Sequence, residues 1–164
     1  QNTLKNVIHI DEGQKMLRRY RAYTPARLGE VYAQIDNYQG KRAFIGIVLD
    51  INGHQYLAPL TSYKPKQDKL KNSSPTIFKL HERSNPANKL GMVSLHNMVP
   101  VLTDTIELLD LPGQPEPYRK MLYRQYEFIK RHAAEIKQRA AKLHKIVTVD
   151  KQAFFVHYAV ILLA

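Results

Sequence analysis

The residues best suited to chemistry lie where an apolar hairpin ends. Thr61, Ser62 and Lys64 follow the run HQYLAPL in the stretch TSYKPK, and Lys66 and Lys69 come soon after them. A lysine can balance the negative charge on phosphate oxygens, and a hydroxyl can orient those oxygens through a hydrogen bond. A hairpin with a purely structural role needs no such polar and basic ending. This loop is therefore a candidate site for a phosphodiester.

An RNA phosphodiester suits these residue types best. Its own 2′-hydroxyl attacks the adjacent phosphorus when the two are held in line, so the protein chiefly supplies orientation and positive charge. Ser62 and Lys64 match those roles, and Thr61 is a candidate to orient them. Arg42 precedes the first strand of the hairpin and lies at the same end of the sheet if the hairpin pairs as predicted. It is a second candidate cation.

The charge of the chain favours a polyanionic partner. Among 164 residues, 25 are lysine or arginine and 14 are acidic, a formal charge of +11. Nucleic acid is the commonest such partner, and the alternative is a basic protein kept soluble by its charge. A membrane surface is disfavoured because the basic helix described below has no aromatic-rich face. No run of 18 apolar residues and no signal-peptide pattern is present, so we expect a cytoplasmic protein.

Metal-dependent and thiol chemistry are disfavoured by residue type and spacing. The chain has no cysteine, and its seven histidines are scattered without a pair four residues apart. The HExxH motif, a glycine-rich phosphate loop and the GxSxG nucleophile elbow are all missing from the sequence. We therefore expect neither a metal site nor a cofactor.

The first two thirds of the chain predict short strands. A near-continuous apolar run before Asn52 indicates a strand buried on both faces, and Asn52–Gly53 is a strong signal for a tight hairpin turn. Residues 61–75 predict a mobile basic loop, and residues 104–111 a short strand or helical turn. The predicted strands are 4–10, 43–50, 54–60, 76–82 and 89–102, the last kinked at Pro100.

The rest of the chain predicts one long helix and a closing strand. From Tyr118 to about Ile146, apolar residues recur at steps of three and four, and the opposite face is basic. The run AFFVHYAVILL, residues 153–163, predicts the closing strand. The sequence therefore predicts an α+β fold in one domain over residues 1–164, with a small, mainly antiparallel sheet or barrel covered by a long C-terminal helix.

Polar residues near the start of this helix suggest a cleft. Gln125 falls on the apolar face, where it either lines a cleft or caps a strand carbonyl group. Tyrosines beside cations are typical of single-stranded RNA sites, where rings stack on bases and cations hold phosphates. The same tyrosines could equally pack on the sheet. The residues concerned are Tyr118, Lys120, Tyr123 and Arg124.

Five sequence blocks between residues 41 and 131 carry a family pattern. In order they read KRAFIGIVLDINGHQYLAPLTSYKPK, FKLHE, NKLGMVSLHNMVPV, LLDL and PYRKMLYRQYEFIK. They resemble the toxins of type III toxin–antitoxin systems, the ToxN/AbiQ-like endoribonucleases. The resemblance implies a compact SH3-like barrel and metal-independent, sequence-selective cleavage of RNA to 2′,3′-cyclic phosphate ends. It also implies inhibition by a pseudoknot RNA antitoxin, toxin–RNA hetero-oligomers and a role in phage defence.

The resemblance also carries site positions onto this chain. The family's essential serine, in a T-S-x-K block, falls on Ser62. Its basic residue before the buried strand falls on Arg42, with Lys41 as the rival position. The family's early tyrosine is matched by no tyrosine at the aligned place in DEGQKMLRRY; Tyr20 and Tyr23 are the alternatives, so the general base stays unassigned. The other matched positions are Thr61, Lys64, Tyr123, Arg124 and Gln125.

Two other functions fit the same residues. A non-catalytic RNA-binding module would use the basic surface without cutting RNA. A toxin of related fold that attacks a protein such as a topoisomerase would need an acidic protein antitoxin, and the basic loop and helix disfavour it. For either RNA function, the candidate RNA-binding residues are Lys41, Lys66, Lys69, Tyr118, Lys120, Tyr123, Arg124 and Gln125.

Overall fold

The computed structural model describes residues 4–10, 44–100 and 107–151, and the side chains of 45–100 and 109–151. Within these ranges the chain forms strands and two α-helices, joined in places by short 3₁₀ helices at Pro65–Lys69 and Leu95–Asn97. Arg42, Lys41, the early tyrosines and the predicted closing strand lie outside the described residues. The elements are β1 (Leu4–Ile10), β2 (Phe44–Ile51), β3 (His54–Thr61), β4 (Phe78–His81), β5 (Lys89–Val93), β6 (Val99–Pro100), β7 (Glu107–Leu108), α1 (Tyr118–Arg131) and α2 (Ala133–Thr148).

The β2–β3 hairpin forms as its sequence predicts. Asn52 and Gly53 both adopt positive φ, 52° and 80°, which the two-residue turn requires and which these residue types tolerate. Ile47, Val48 and Leu49 are consecutive and all buried, so β2 is covered on both faces. The hairpin is therefore the rigid centre of the sheet.

The described strands form one antiparallel sheet in the order β4-β5-β3-β2-β1-β7, with β6 also paired to β3. The last two residues of β3, Leu60 and Thr61, leave β2 and pair with Val93 and Met92 of β5. Among the strands described, β4 and β7 lie at opposite edges and do not pair, so this sheet is open. The predicted antiparallel sheet is confirmed, whereas the SH3-like barrel is not.

Two predicted elements are interrupted. The strand predicted over 89–102 is divided into β5 and β6 by the Leu95–Asn97 turn, and the loop predicted over 61–75 contains the Pro65–Lys69 3₁₀ helix. In both places the backbone makes hydrogen bonds between residues three apart, as from Met98 N to Leu95 O and from Leu70 N to Gln67 O. These local turns return the chain to the sheet.

The prediction of one long C-terminal helix is wrong, since the helix breaks at His132. The backbone there has φ −102° and ψ 19°, outside the helical region, and His132 stacks on Phe128 with ring centroids 4.3 Å apart. The break lets each helix follow its own part of a twisted sheet: α1 packs on β4 and β5, and α2 on β2 and the Leu95–Asn97 turn.

One hydrophobic core joins the sheet to both helices. It includes Ile47 and Tyr56 from the hairpin, Phe128 from α1 and Ile136 and Leu143 from α2. Neither described helix is long and apolar enough to cross a membrane.

Candidate active site at the end of strand β3

The hydroxyl–lysine stretch lies at the surface, directly after β3. Ser62 and Lys64 are both exposed, whereas Thr61 and Tyr63 are partly buried. Lys64 has an extended backbone, φ −137° and ψ 141°, and the Pro65–Lys69 helix begins immediately after it. Lys66 and Lys69 are exposed on that helix. The fold thus presents one hydroxyl and three ammonium groups to solvent within eight residues of chain.

A buried glutamine holds this stretch from inside. Gln67 is only 5% exposed, and its Nε2 donates a 2.9 Å hydrogen bond to the carbonyl oxygen of Ser62 and a longer one, 3.5 Å, to Thr61 Oγ1. Thr61 Oγ1 in turn donates to the Met92 carbonyl oxygen at 3.4 Å. The backbone of Gln67 also bonds that of Lys64 at 2.8 Å. Gln67 therefore fixes the turn that carries Ser62 and Lys64.

A β-bulge in β5 supports the same stretch from the neighbouring strand. The pairing of β4 with β5 shifts between Leu80 and His81, which leaves Leu90 as the extra residue beside Gly91. Gly91 has φ 112°, and a Cβ built there would overlap the carbonyl oxygen of Thr61. Only glycine allows the two backbones to approach so closely.

Gln125 is a core residue that completes this bulge. Its side chain is 2% exposed, and its Nε2 donates a 2.7 Å hydrogen bond to the carbonyl oxygen of Leu90. Of the two interpretations open from the sequence, the amide does cap a strand carbonyl. A direct contact between Gln125 and RNA stays a prediction. What the structure adds is an indirect link from α1 through Leu90 and Gly91 to the Thr61 backbone.

Tyr63 is hydrogen-bonded to an ion pair between Asp68 and Lys89. Tyr63 Oη donates to Asp68 Oδ2 at 2.7 Å, and Lys89 Nζ donates to Asp68 Oδ1 at 2.8 Å while lying 5.2 Å from the Tyr63 ring centroid. The hydrogen bond from Lys89, followed by that from Tyr63, lowers the pKa of Asp68. The bond to Asp68 raises the pKa of Tyr63 and that of Lys89. These groups join the loop to the start of β5.

Apart from the buried Gln125, three of the predicted residues on α1 are exposed, and the fourth forms an ion pair. Tyr118 and Tyr123 are 36% and 41% exposed, and Lys120 is also exposed. Arg124 is partly buried, and its Nε lies 3.3 Å from Glu82 Oε1. A hydrogen bond from Asn88, followed by the charge of Arg124, lowers the pKa of Glu82.

The β4–β5 hairpin connects the α1 group to the loop. Asn88, which donates to Glu82 at 2.7 Å, is the neighbour in sequence of Lys89, which binds Asp68. The loop and α1 therefore each form an ion pair with this hairpin, the loop through Asp68 and Lys89 and α1 through Arg124 and Glu82. No group of three or more His, Asp or Glu residues in the described ranges is arranged to hold a metal ion.

Four residues that shape this site were not among those predicted from the sequence: Gln67, Asp68, Lys89 and Gly91. Asp68 carries a usable signal, because it is the sole acidic residue between Asp50 and Glu82 and has lysines on both sides. Lys89 and Gly91 carry none, because their roles depend on how β5 packs beside β3 and the loop, and Gln67 carries none, because its burial depends on the 3₁₀ helix.

The comparisons with known proteins agree with the expected family. A family model described as toxin ToxN of type III toxin–antitoxin systems matches residues 17–162. The endoribonuclease ToxN of Pectobacterium atrosepticum is 45% identical over 115 residues, 70% of this chain and 67% of that protein. The endoribonuclease AbiQ of Lactococcus lactis subsp. lactis is 30% identical over 145 residues, 85% of this chain and 77% of that protein.

A solved structure agrees as well. It comes from a study in which a processed non-coding RNA regulates a bacterial antiviral system. It has a TM-score of 0.68 and 35% identity, and the match covers 88% of each chain. The resemblance read from the sequence blocks is therefore confirmed by the family model, the relatives and the fold. The chain belongs to the ToxN toxin family of type III toxin–antitoxin systems.

Proposed function

We propose that this protein is a metal-independent, sequence-selective endoribonuclease toxin that is inhibited by a structured, pseudoknot RNA antitoxin and acts in phage defence. Both curated relatives described above are endoribonucleases by name. The observation that carries the proposal is the exposure of Ser62 and Lys64, two residues apart, on a turn that the buried Gln67 holds in place. A phosphodiester placed against this turn would meet a hydroxyl and an ammonium group at once.

The proposed reaction is an internal transesterification. The 2′-oxygen forms a bond to phosphorus as its proton passes to a base, and the bond from phosphorus to the 5′-oxygen breaks as that oxygen takes up a proton. The products are a 2′,3′-cyclic phosphate and a free 5′-hydroxyl. Charge accumulates on the non-bridging oxygens, where preorganised donors stabilise it most.

The residues divide these tasks. Lys64 balances the charge on the non-bridging oxygens, and the Ser62 hydroxyl donates a hydrogen bond to one of them. Arg42 is the second cation in this proposal. Thr61 acts indirectly, because its hydroxyl proton is directed to the Met92 carbonyl oxygen. The general base stays unassigned, with Tyr20 and Tyr23 as the alternatives.

The proposed RNA-binding surface extends from the loop to α1. Lys66 and Lys69 are exposed beside the site, and Lys120 is exposed near two tyrosines on α1. Tyrosine rings stack on bases, and the cations bind phosphates. The residues predicted from the sequence for this surface are Lys41, Lys66, Lys69, Tyr118, Lys120, Tyr123, Arg124 and Gln125, of which Gln125 is 2% exposed and would have to be uncovered to contact RNA.

The proposal includes a partner and a compartment. The same surface would bind the antitoxin RNA, so that toxin and RNA assemble into a hetero-oligomer in which the site is covered. Cellular or phage transcripts are the substrates once the toxin is free, which places it in the cytoplasm. We propose that residues 1–164 act as one domain, since both helices share one core with strands β2 to β5.

Cleavage of a mixed-sequence RNA by the purified protein in EDTA tests the function. Wild type is compared with Ser62→Ala and Lys64→Ala, and the product ends are analysed. We expect discrete cuts with cyclic phosphate ends, reduced about 10²-fold or more in each variant, since removal of one transition-state donor costs that much. Ser73→Ala and Lys142→Ala are matched controls, because both residues are exposed and lie outside the proposed site.

Three outcomes would overturn parts of the proposal. Binding of RNA without any cutting by wild type would favour the non-catalytic RNA-binding module. Cutting that survives both variants would move the site away from this loop. Cutting that EDTA abolishes would disprove metal independence.

A further inference from the structure

We propose that Gln67 is the positioning residue of this site: its buried side-chain amide holds the Ser62–Lys64 turn in the geometry that cleavage needs. Gln67 contacts no reacting atom in this proposal and acts through the backbone of Ser62 and the hydroxyl of Thr61. The inference rests on the proposed ribonuclease function and adds to it a residue that neither sequence pattern nor resemblance indicates.

The burial of Gln67 is the first argument. A glutamine in a stretch of lysines would ordinarily lie in solvent, yet this one is 5% exposed while the lysines around it are exposed. Burying an amide is costly unless its polar atoms are paired. Its Nε2 is paired with the Ser62 carbonyl oxygen at 2.9 Å and lies 3.5 Å from Thr61 Oγ1.

The direction of these bonds is the second argument. Both acceptors of the Gln67 amide belong to the residues on which the proposed chemistry depends. The bond to Thr61 Oγ1 uses an oxygen lone pair, so the hydroxyl proton is left to donate to Met92 O at 3.4 Å. The chain of contacts from Gln67 through Thr61 to Met92 thus joins the 3₁₀ helix to β5.

The backbone on both sides of Gln67 is the third argument. Gln67 N donates to Lys64 O at 2.8 Å, and Leu70 N donates to Gln67 O at 3.1 Å. The backbone of Gln67 therefore closes the turn, and the side chain of Gln67 holds Thr61 and Ser62 at the start of the turn. Loss of the side-chain bonds would leave Ser62 and Lys64 tethered to the turn but free to shift.

The test uses Gln67→Met in the full chain, which keeps the side-chain volume and removes the amide. An error of about 1 Å in the placement of reacting groups can cost about 10²-fold in rate. We expect the cleavage rate constant kcat to fall about 10- to 100-fold, with KM and the affinity for an uncleavable 2′-deoxy analogue unchanged. Gln138→Met, the same change at an exposed position on α2, should leave both constants as in wild type.

Amide hydrogen exchange supplies a readout that does not depend on catalysis. We expect faster exchange at Ser62 to Lys64 in Gln67→Met and unchanged exchange in the β2–β3 hairpin. If Gln67→Met does not fold, Gln67→Glu replaces it; its carboxylate keeps the size of the side chain but presents an oxygen to the Ser62 carbonyl. We expect the same loss of kcat and the same faster exchange.

The outcomes separate this inference from the proposed function. A folded Gln67 variant with wild-type kcat, or with wild-type exchange at Ser62 to Lys64, overturns the positioning role. A wild type that cuts no RNA overturns the ribonuclease function instead, and the exchange data still decide whether Gln67 holds the turn.

Discussion

The amide nitrogen of Gln125 lies 2.7 Å from the carbonyl oxygen of Leu90, and both residues are buried. Leu90 is the extra residue of the bulge in β5, so its carbonyl group lies where the ladder with β4 is disrupted. A helix residue thus supplies the hydrogen bond that the sheet does not. The next residue, Gly91, lies against the Thr61 backbone. The hydrogen bond from Gln125 to Leu90 therefore helps to hold the backbone of the candidate site in place.

Gln125→Met should destabilise the protein by about 1–3 kcal/mol, because it leaves the Leu90 carbonyl group buried without its partner. The free energy of unfolding in urea measures the effect. Gln138→Met, on the exposed face of α2, should stay within about 0.5 kcal/mol of wild type. Equal stability of the two variants would show that the Leu90 carbonyl group finds another partner.

Arg139→Met should destabilise the protein by about 2 kcal/mol, although Arg139 lies on the helix face that the sequence predicts to be basic. Its Nη1 donates to the carbonyl oxygens of Asn72 and Ile77 at 2.7 and 3.0 Å, and its guanidinium group lies 4.8 Å from the Phe78 ring centroid. Hydrogen bonds from a charged group contribute about that much. Urea unfolding gives the value.

Lys142→Met is the matched control for Arg139→Met, since Lys142 is exposed nearly one helical turn further along α2. We expect its effect on the free energy of unfolding to be within about 0.5 kcal/mol. Similar losses in both variants would mean that Arg139 acts through the overall charge of the helix and not through its two carbonyl partners.

The features that the sequence predicted are those with local causes. Asn52–Gly53 specifies the hairpin turn through the backbone preferences of two residues, and the apolar run before it specifies a strand buried on both faces. The surface position of Ser62 and Lys64 follows from the same hairpin. Each of these predictions needs only neighbouring residues.

The features that the sequence did not predict have distant causes. Gly91 looks like an ordinary strand glycine until β5 pairs with β3 and places it against Thr61. Gln67 is the exception: its partners are only five and six residues away, but its burial depends on the 3₁₀ helix, which was not predicted within the loop. The break at His132 depends on where α1 and α2 meet the sheet, whereas the apolar periodicity continues through it.

Asp68→Asn should destabilise the protein at neutral pH and have little effect in acid. Its bonds to Lys89 and Tyr63 lower the pKa of Asp68 in the folded state. The charged carboxylate of Asp68 therefore stabilises the folded state at pH values above its unfolded pKa of about 4. This stabilisation is lost as the pH falls through the lower pKa that Asp68 has in the folded state. Urea unfolding of wild type and Asp68→Asn at several pH values between about 7 and 3 should show the difference shrink toward acid.

Asp150→Asn is the control for this pH dependence, because Asp150 is exposed after the end of α2. We expect no comparable change with pH in its difference from wild type. A difference for Asp68→Asn that stays constant down to the lowest pH would mean that the carboxylate's charge does not stabilise the loop.

Gly91→Ala should abolish most RNA cleavage, whereas Gly53→Ala should not. Both glycines have positive φ, 112° and 80°, so both variants carry backbone strain, about 1–2 kcal/mol for Gly53→Ala and more for Gly91→Ala, whose φ lies further from the left-handed helical region. A Cβ at Gly53 meets nothing within 4 Å, but one at Gly91 overlaps the carbonyl oxygen of Thr61. The backbone of Thr61 and Ser62 must therefore move in Gly91→Ala, and we expect cleavage to fall about 10²-fold.

Gly53→Ala is the control for this prediction, because it introduces a Cβ at positive φ without the contact. The two variants are compared by urea unfolding and by cleavage rate at a temperature where both are folded. Since the strain at Gly91 is the larger, activity is compared at equal folded fraction, and a loss in Gly91→Ala beyond its loss of stability must arise from the displaced Thr61–Ser62 backbone. If both variants lost activity in proportion to stability, the close approach of Gly91 to Thr61 would have no role in cleavage, and the bulge would serve only the packing of β5 against β3.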